Sequence, residues 1–97
     1  MIDLNNPFEP TLAEFVFTEL PDYLDTAIYS ENKISIDLFC CFDIIFEYDS
    51  SDEIPDWLTI HVFDLDGRET DIFKLTRKEN AKLFNTFWEA YKQNYSR

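Results

Sequence analysis

The chain has 97 residues, enough for one hydrophobic core but not for two. Hydrophobic residues make up 45% of it and aromatics 18%, which excludes a disordered tail. Twenty acidic residues against eight basic ones leave a net charge of −12, which excludes direct electrostatic attraction to DNA, RNA or an anionic membrane surface.

In chain order, Leu12, Phe15, Val16 and Leu20 fit one face of a short N-terminal helix, with Pro10 near its first turn and Pro21 ending it. The run Phe15-Val16-Phe17 is also compatible with a strand. Tyr23 to Ser30 reads as a strand joined through Glu31-Asn32 to the next. A three-residue loop there pairs Ile28 with Ile36 and Leu24 with Cys40, which buries more apolar surface than a two-residue loop.

Every even position from 34 to 48 is apolar: Ile34, Ile36, Leu38, Cys40, Phe42, Ile44, Phe46 and Tyr48. A strand from Lys33 to Tyr48 would run roughly 53 Å at about 3.3 Å per residue. A globule of this length is only about 32 Å across. The strand must therefore bend strongly, or break near Cys40–Phe42 without losing phase.

Trp57 to Phe63 alternates as a further strand, with Leu58, Ile60 and Val62 on one side. Asp66-Gly67 predicts a two-residue type I′ turn, and residues Arg68 to Leu75 return as the last strand. The implied register sets Ile60 opposite Phe73 and Leu58 opposite Leu75. Thr76-Arg77-Lys78-Glu79 has the form of a capping box, Thr76 accepting from the Glu79 amide while Glu79 reaches back. Phe84, Phe87, Trp88, Tyr91 and Tyr95 then recur at helical spacing, predicting an amphipathic helix from about 77 to 93.

The expected fold class is thus α+β: a four-stranded antiparallel meander, a C-terminal amphipathic helix on one face, and a short N-terminal helix. Phe39, Cys41, Ile45, Trp57, His61, Phe63 and Ile72 line the second face, too apolar to stand simply in water. The N-terminal helix, a partner or a second copy is expected to cover it.

The residues present exclude most chemistry. The start MIDLNNPFEP lacks the basic-then-apolar form of a secretory signal, and no stretch reaches the length of a membrane span. Neighbouring Cys40 and Cys41 point to opposite faces of a strand, so a disulfide between them is not expected, and a reducing cytoplasm follows (the host's, for a phage-encoded protein). One histidine and a vicinal thiol pair offer no tetrahedral metal spacing, and a calcium site in the 49–56 loop lacks the EF-hand glycine and terminal glutamate. Cys41, His61 and Asp43 can be drawn as nucleophile, base and orienter, but no glycine-rich turn supplies an oxyanion hole. No phosphate-binding fingerprint exists. Neither an enzyme nor a cofactor is expected.

Charge is the informative feature. Through Asp66 there are 16 acidic residues against Lys33 alone, a balance of −15; from Gly67 onward seven basic residues face four acidic ones, or +3. Asp49, Asp52, Glu53 and Asp56 share one loop, while Asp37, Asp43 and Glu47 project from the odd side of the long strand. Such carboxylates keep an apolar protein soluble. Gathered on a stiff sheet, they also present negative charge at phosphate-like spacing to a basic protein groove. In general character the small, acidic, non-catalytic chain resembles phage and mobile-element inhibitors that imitate DNA to block CRISPR, restriction or other nucleic-acid-handling machinery. That resemblance of class implies a partner with a basic nucleic-acid-binding groove, met by Asp37, Asp43, Glu47, Asp49, Asp52, Glu53 and Asp56. Phe39, Ile45, Trp57 and Phe63 would add apolar contact or form a homodimer. An immunity protein or antitoxin against a basic nuclease uses the same physics. A homo-oligomeric structural or chaperone-like protein would use the aromatics instead.

Overall fold

The computed structural model describes residues 12–38, 40–47 and 54–95. Within them an α-helical turn, α1 (Leu12–Glu14), runs on into a π-helical turn (Phe15–Glu19) and a 3₁₀ helix (Leu20–Thr26). One antiparallel sheet follows, made of β1 (Ile28–Ser30), β2 (Lys33–Asp37), β3 (Cys41–Glu47), β4 (Trp57–Phe63) and β5 (Glu69–Thr76), and α2 (Ala81–Tyr95) closes the chain. The strands lie in sequence order, as a meander. The fold is α+β as expected, with five strands rather than four.

The fifth strand arises because the even-apolar run is not one bent strand. It reverses between Asp37 and Cys41 into a hairpin that pairs Ile36 with Phe42 and Ile34 with Ile44. Leu38 N–H donates to the Cys40 carbonyl at 3.0 Å within the reversal. Because three residues separate the paired Asp37 and Cys41, even positions meet even positions across the hairpin. The apolar row therefore keeps its face through a complete change of direction. Folding the row back lets each half bury the other, which a single extended strand could not do.

The first strand is shorter than expected. Pro21 does not end the helical segment but opens its 3₁₀ portion. Proline lacks an N–H and its ring crowds the carbonyl four residues back, so the α ladder cannot pass it. The chain first widens, the Leu20 N–H reaching the Phe15 carbonyl, and then tightens. Leu24 thereby reaches the core from a helical turn and needs no strand partner. The β1–β2 turn takes the two-residue form, pairing Ile28 with Ser35 and Ser30 with Lys33, rather than Ile28 with Ile36. Tyr29 turns inward and Ile28 is left 69% exposed.

The β4–β5 hairpin keeps its expected pairs, Leu58 with Leu75 and Ile60 with Phe73, by a different turn. Asp66 does not take positive φ; only Gly67 does, at +86°. Leu65, Asp66 and Gly67 form a three-residue loop, with Gly67 N–H donating to the Asp64 carbonyl and Asp64 N–H to the Arg68 carbonyl. The Asp64 carboxylate caps the loop, accepting from the amides of Asp66 and Arg68 at 2.9 Å each. The irregularity beside Val62 and Phe63 takes up the extra loop residue and restores the register beyond it.

The core consists of the even face of the sheet with helices laid on it. Phe46 meets Phe84, Trp88 and Tyr91 of α2 at ring centroid distances of 6.2, 5.2 and 5.2 Å. Phe15 meets Phe42 at 5.7 Å and Phe17 meets Phe73 at 6.1 Å. The N-terminal segment thus packs on the same face as α2 and not over the second face. The Thr76 hydroxyl accepts from the Glu79 amide at 3.1 Å, as expected of a capping box, but it caps a turn ahead of α2, which begins at Ala81 rather than 77. The Tyr91 hydroxyl donates to the Glu31 carbonyl and ties α2 to the β1–β2 turn.

Candidate functional site

With both helical segments on the even face, the odd face of the sheet has no helical layer among the described residues. Cross-strand register sets its side chains in rows. Ser35, Asp43, His61 and Ile72 form one; Lys33, Ile45, Thr59 and Lys74 another; Glu47, Trp57 and Thr76 a third; and Asp37, Cys41, Phe63 and Glu69 the fourth. Ile45, Trp57, His61 and Phe63 are half-buried, and Ile72 is 50% exposed. The face is mixed: aromatic rings and carboxylates alternate across it.

A polar chain starts at the Glu47 end of the face and crosses it to the Glu69 row. Thr59 is 7% exposed, and its hydroxyl donates to Glu47 Oε1 at 2.6 Å and lies 3.3 Å from His61 Nε2. His61 Nδ1 is 2.5 Å from Glu69 Oε1. The Thr59 hydroxyl, chiefly, holds the Glu47 carboxyl below its ordinary range against the opposing effect of burial, and the Trp57 side chain adds a second hydrogen bond. Lys74 lies over the Trp57 ring, 4.6 Å from its centroid.

At the other end, Asp37, Cys41, Asp43, Phe63, Asp64, Leu65 and Gly67 surround an open pocket of about 460 Å³. Asp43 accepts from Ser35 at 2.9 Å and from the Cys41 thiol at 3.6 Å, with Lys33 Nζ at 3.9 Å. Burial first, then the Asp43 charge and hydrogen bond, push the Cys41 thiol up to about 11. Leu65 stands at the rim, 85% exposed.

The seven carboxylates expected to act together are not one row. The hairpin reversal places Asp37 and Asp43 diagonally on adjacent strands, and Glu47 at the far end of β3 is held by Thr59. Asp56 is taken by Arg77, 3.4 Å away, at an exposed corner. Asp49, Asp52, Glu53 and Phe39 lie outside the described residues, as do Pro10, Tyr48 and the side chain of Tyr95. Ile45, Trp57 and Phe63 all belong to the open face. Cys41 and His61 both neighbour Asp43, yet the imidazole bonds Thr59 and Glu69 instead, so no thiol–imidazole pair forms. Thr59, Asp64, Glu69 and Lys74 belong to the site without having been singled out. The hairpin register already set Lys74 beside Thr59, whereas Glu69 depends on the bulge.

Among the described residues no cluster of three metal-ligating side chains occurs, and no helix is long and apolar enough to cross a membrane. Compared with protein families, curated proteins and solved structures, the chain matches none.

Proposed function

We propose that the protein is a non-catalytic inhibitor or interaction protein whose open sheet face engages a basic groove on another protein, of the kind that binds nucleic acid. One observation carries this reading. The pocket walled by Asp37, Asp43 and Asp64, with Phe63 and Leu65 beside them, joins negative charge to apolar contact on a sheet braced from behind by both helical segments. Carboxylates at such a rim speed encounter with lysine and arginine, while the rings supply area that excludes water. A chain carrying −12 meets a cationic surface more readily than a copy of itself.

The test is capture from host lysate by the tagged full chain, followed by binding measurements on the purified captured protein. Duplex DNA should compete with it, and added salt should slow its association. The combined D37N, D43N and D64N variant should bind about tenfold or more weakly, at up to roughly 1 kcal/mol per partly exposed charge. Affinity indifferent to salt, to DNA and to these three substitutions would overturn the proposal. An immunity protein against a basic nuclease would show the same signs with a toxin as target. A stable dimer in sedimentation that buries Trp57 would favour self-association through the same face.

A further inference from the structure

The donors and acceptors in the chain Glu47–Thr59–His61–Glu69 can be counted. The Thr59 hydroxyl has one proton, and at 2.6 Å it is given to Glu47. The same oxygen can then only accept from His61 Nε2, 3.3 Å away. The Glu69 carboxylate, 2.5 Å from Nδ1, can also only accept. All three bonds coexist only when both ring nitrogens carry protons. When the Nε2 proton leaves, Nδ1–H keeps Glu69, and Nε2 becomes an acceptor that competes with Glu47 for the Thr59 proton.

We propose that His61 and Thr59 form a proton-driven relay that sets the charge of the open face. With both ring nitrogens protonated, a cation stands at its centre and Thr59 ties Glu47 down. With one proton gone, the cation is lost and Glu47 is released toward whatever occupies the face. Histidine is the side chain suited to such a change near neutral pH.

The groups facing the imidazole are mostly acidic. Asp43 lies directly opposite on β3, with Glu47 and the Cys41 thiol along the same strand. From β5 come Ile72 opposite, Glu69 and, opposite Thr59, Lys74. Phe63 stacks at 6.3 Å, and Lys33 of β2 reaches Asp43 but makes no bond to the ring. Loss of the ring proton therefore leaves the face more negative, and its affinity for a basic partner rises with pH. This consequence rests on the partner reading above; the relay itself does not.

Two measurements on the full chain separate them. In a carbon-detected NMR titration, the Glu47 carboxyl resonance should shift together with the His61 ring. The coupling should persist in Thr59→Ser and shrink severalfold in Thr59→Val, leaving only the direct effect of the His61 charge on Glu47. A Glu47 carboxyl blind to His61, or coupling unchanged in Thr59→Val, overturns the relay. Binding of a synthetic lysine-rich peptide should tighten about two- to fivefold between about pH 5.5 and 8, and lose that dependence in His61→Gln. A peptide that binds wild type and His61→Gln with the same pH dependence overturns the link between relay and affinity. A peptide that binds at neither pH counts against the partner reading and leaves the NMR result to decide the relay.

Discussion

The Thr59 hydroxyl donates to the Glu47 carboxylate at 2.6 Å between adjacent strands, two positions from where the register pairs each residue: Glu47 with Trp57, and Thr59 with Ile45. This diagonal bond is the main reason the Glu47 carboxyl lies below its ordinary range. For as long as Thr59 keeps this bond, its stabilisation is fully present above the carboxylate range of the unfolded chain, and is lost as pH falls through the lower range of folded Glu47. Thr59→Val should cost about 1 kcal/mol near pH 5.5, where Glu47 is ionised and still holds the Thr59 proton, since the bond is charge-assisted but partly solvated. The difference from wild type should shrink in acid. Urea denaturation of both proteins from about pH 3 to 8 checks the magnitude and the sign.

Cys41 should be a poor nucleophile despite its place beside an open pocket. Burial is the larger cause of its titration at about 11, and Asp43 adds to it. A raised thiol stabilises the fold fully below the unfolded thiol range, and that contribution disappears as pH rises through about 11. Alkylation of Cys41 near pH 8 should be slower than in the urea-unfolded chain by on the order of a hundredfold. Asp43→Asn should recover part of the rate and not all of it. Mass spectrometry of each cysteine reads the outcome separately from Cys40, whose thiol burial also raises.

These two sites show which parts of the structure the sequence made legible. The faces were readable because alternation fixes side-chain direction whatever the strand does along its length. The residues expected on the second face do share it wherever they are described. The reversal between Asp37 and Cys41 was hidden for the same reason: a three-residue connection conserves parity, and the sequence Leu38-Phe39-Cys40 holds neither glycine nor proline. Once the run folds back, Asp37 and Asp43 become diagonal neighbours while Glu47 stays four residues along β3 from Asp43, so the acidic grouping changed with the topology. The helix boundaries failed locally, where Pro21 favoured a tighter helix over termination. The partnership of His61 with Glu69 lay beyond reach because it depends on one bulged residue.

Phe46 is the hinge between sheet and α2, fully buried and in ring contact with Phe84, Trp88 and Tyr91. Phe46→Ala should cost about 3–5 kcal/mol in lost transfer energy and cavity. That rivals the whole stability of a small domain, about 5 kcal/mol at the low end, so the variant should keep only about 0–2 kcal/mol and unfold at a far lower urea concentration, read by circular dichroism. Tyr91→Phe keeps the ring and removes the hydroxyl that bonds the Glu31 carbonyl, so it should cost about 1 kcal/mol. Equal losses in the two variants would show that the hydroxyl, and not the aromatic cluster, anchors α2.

Gly67 separates backbone strain from crowding. Its φ of +86° lies where L side chains rarely go, yet a Cβ built there meets nothing within 4 Å. Gly67→Ala should therefore cost about 1–2 kcal/mol through the backbone alone. Gly67→Asn should cost less, because its side chain tolerates the left-handed region. If the loop instead relaxed to the two-residue turn, Asp66 would have to adopt positive φ as well and the bulge beside Phe63 would no longer be needed. Denaturation midpoints give the ranking of the three proteins. The amide shift of Thr70 reports whether the bulge survives, and it should remain in place in the asparagine variant, since the Asp64 carboxylate caps the loop through the amides of Asp66 and Arg68 without calling on residue 67.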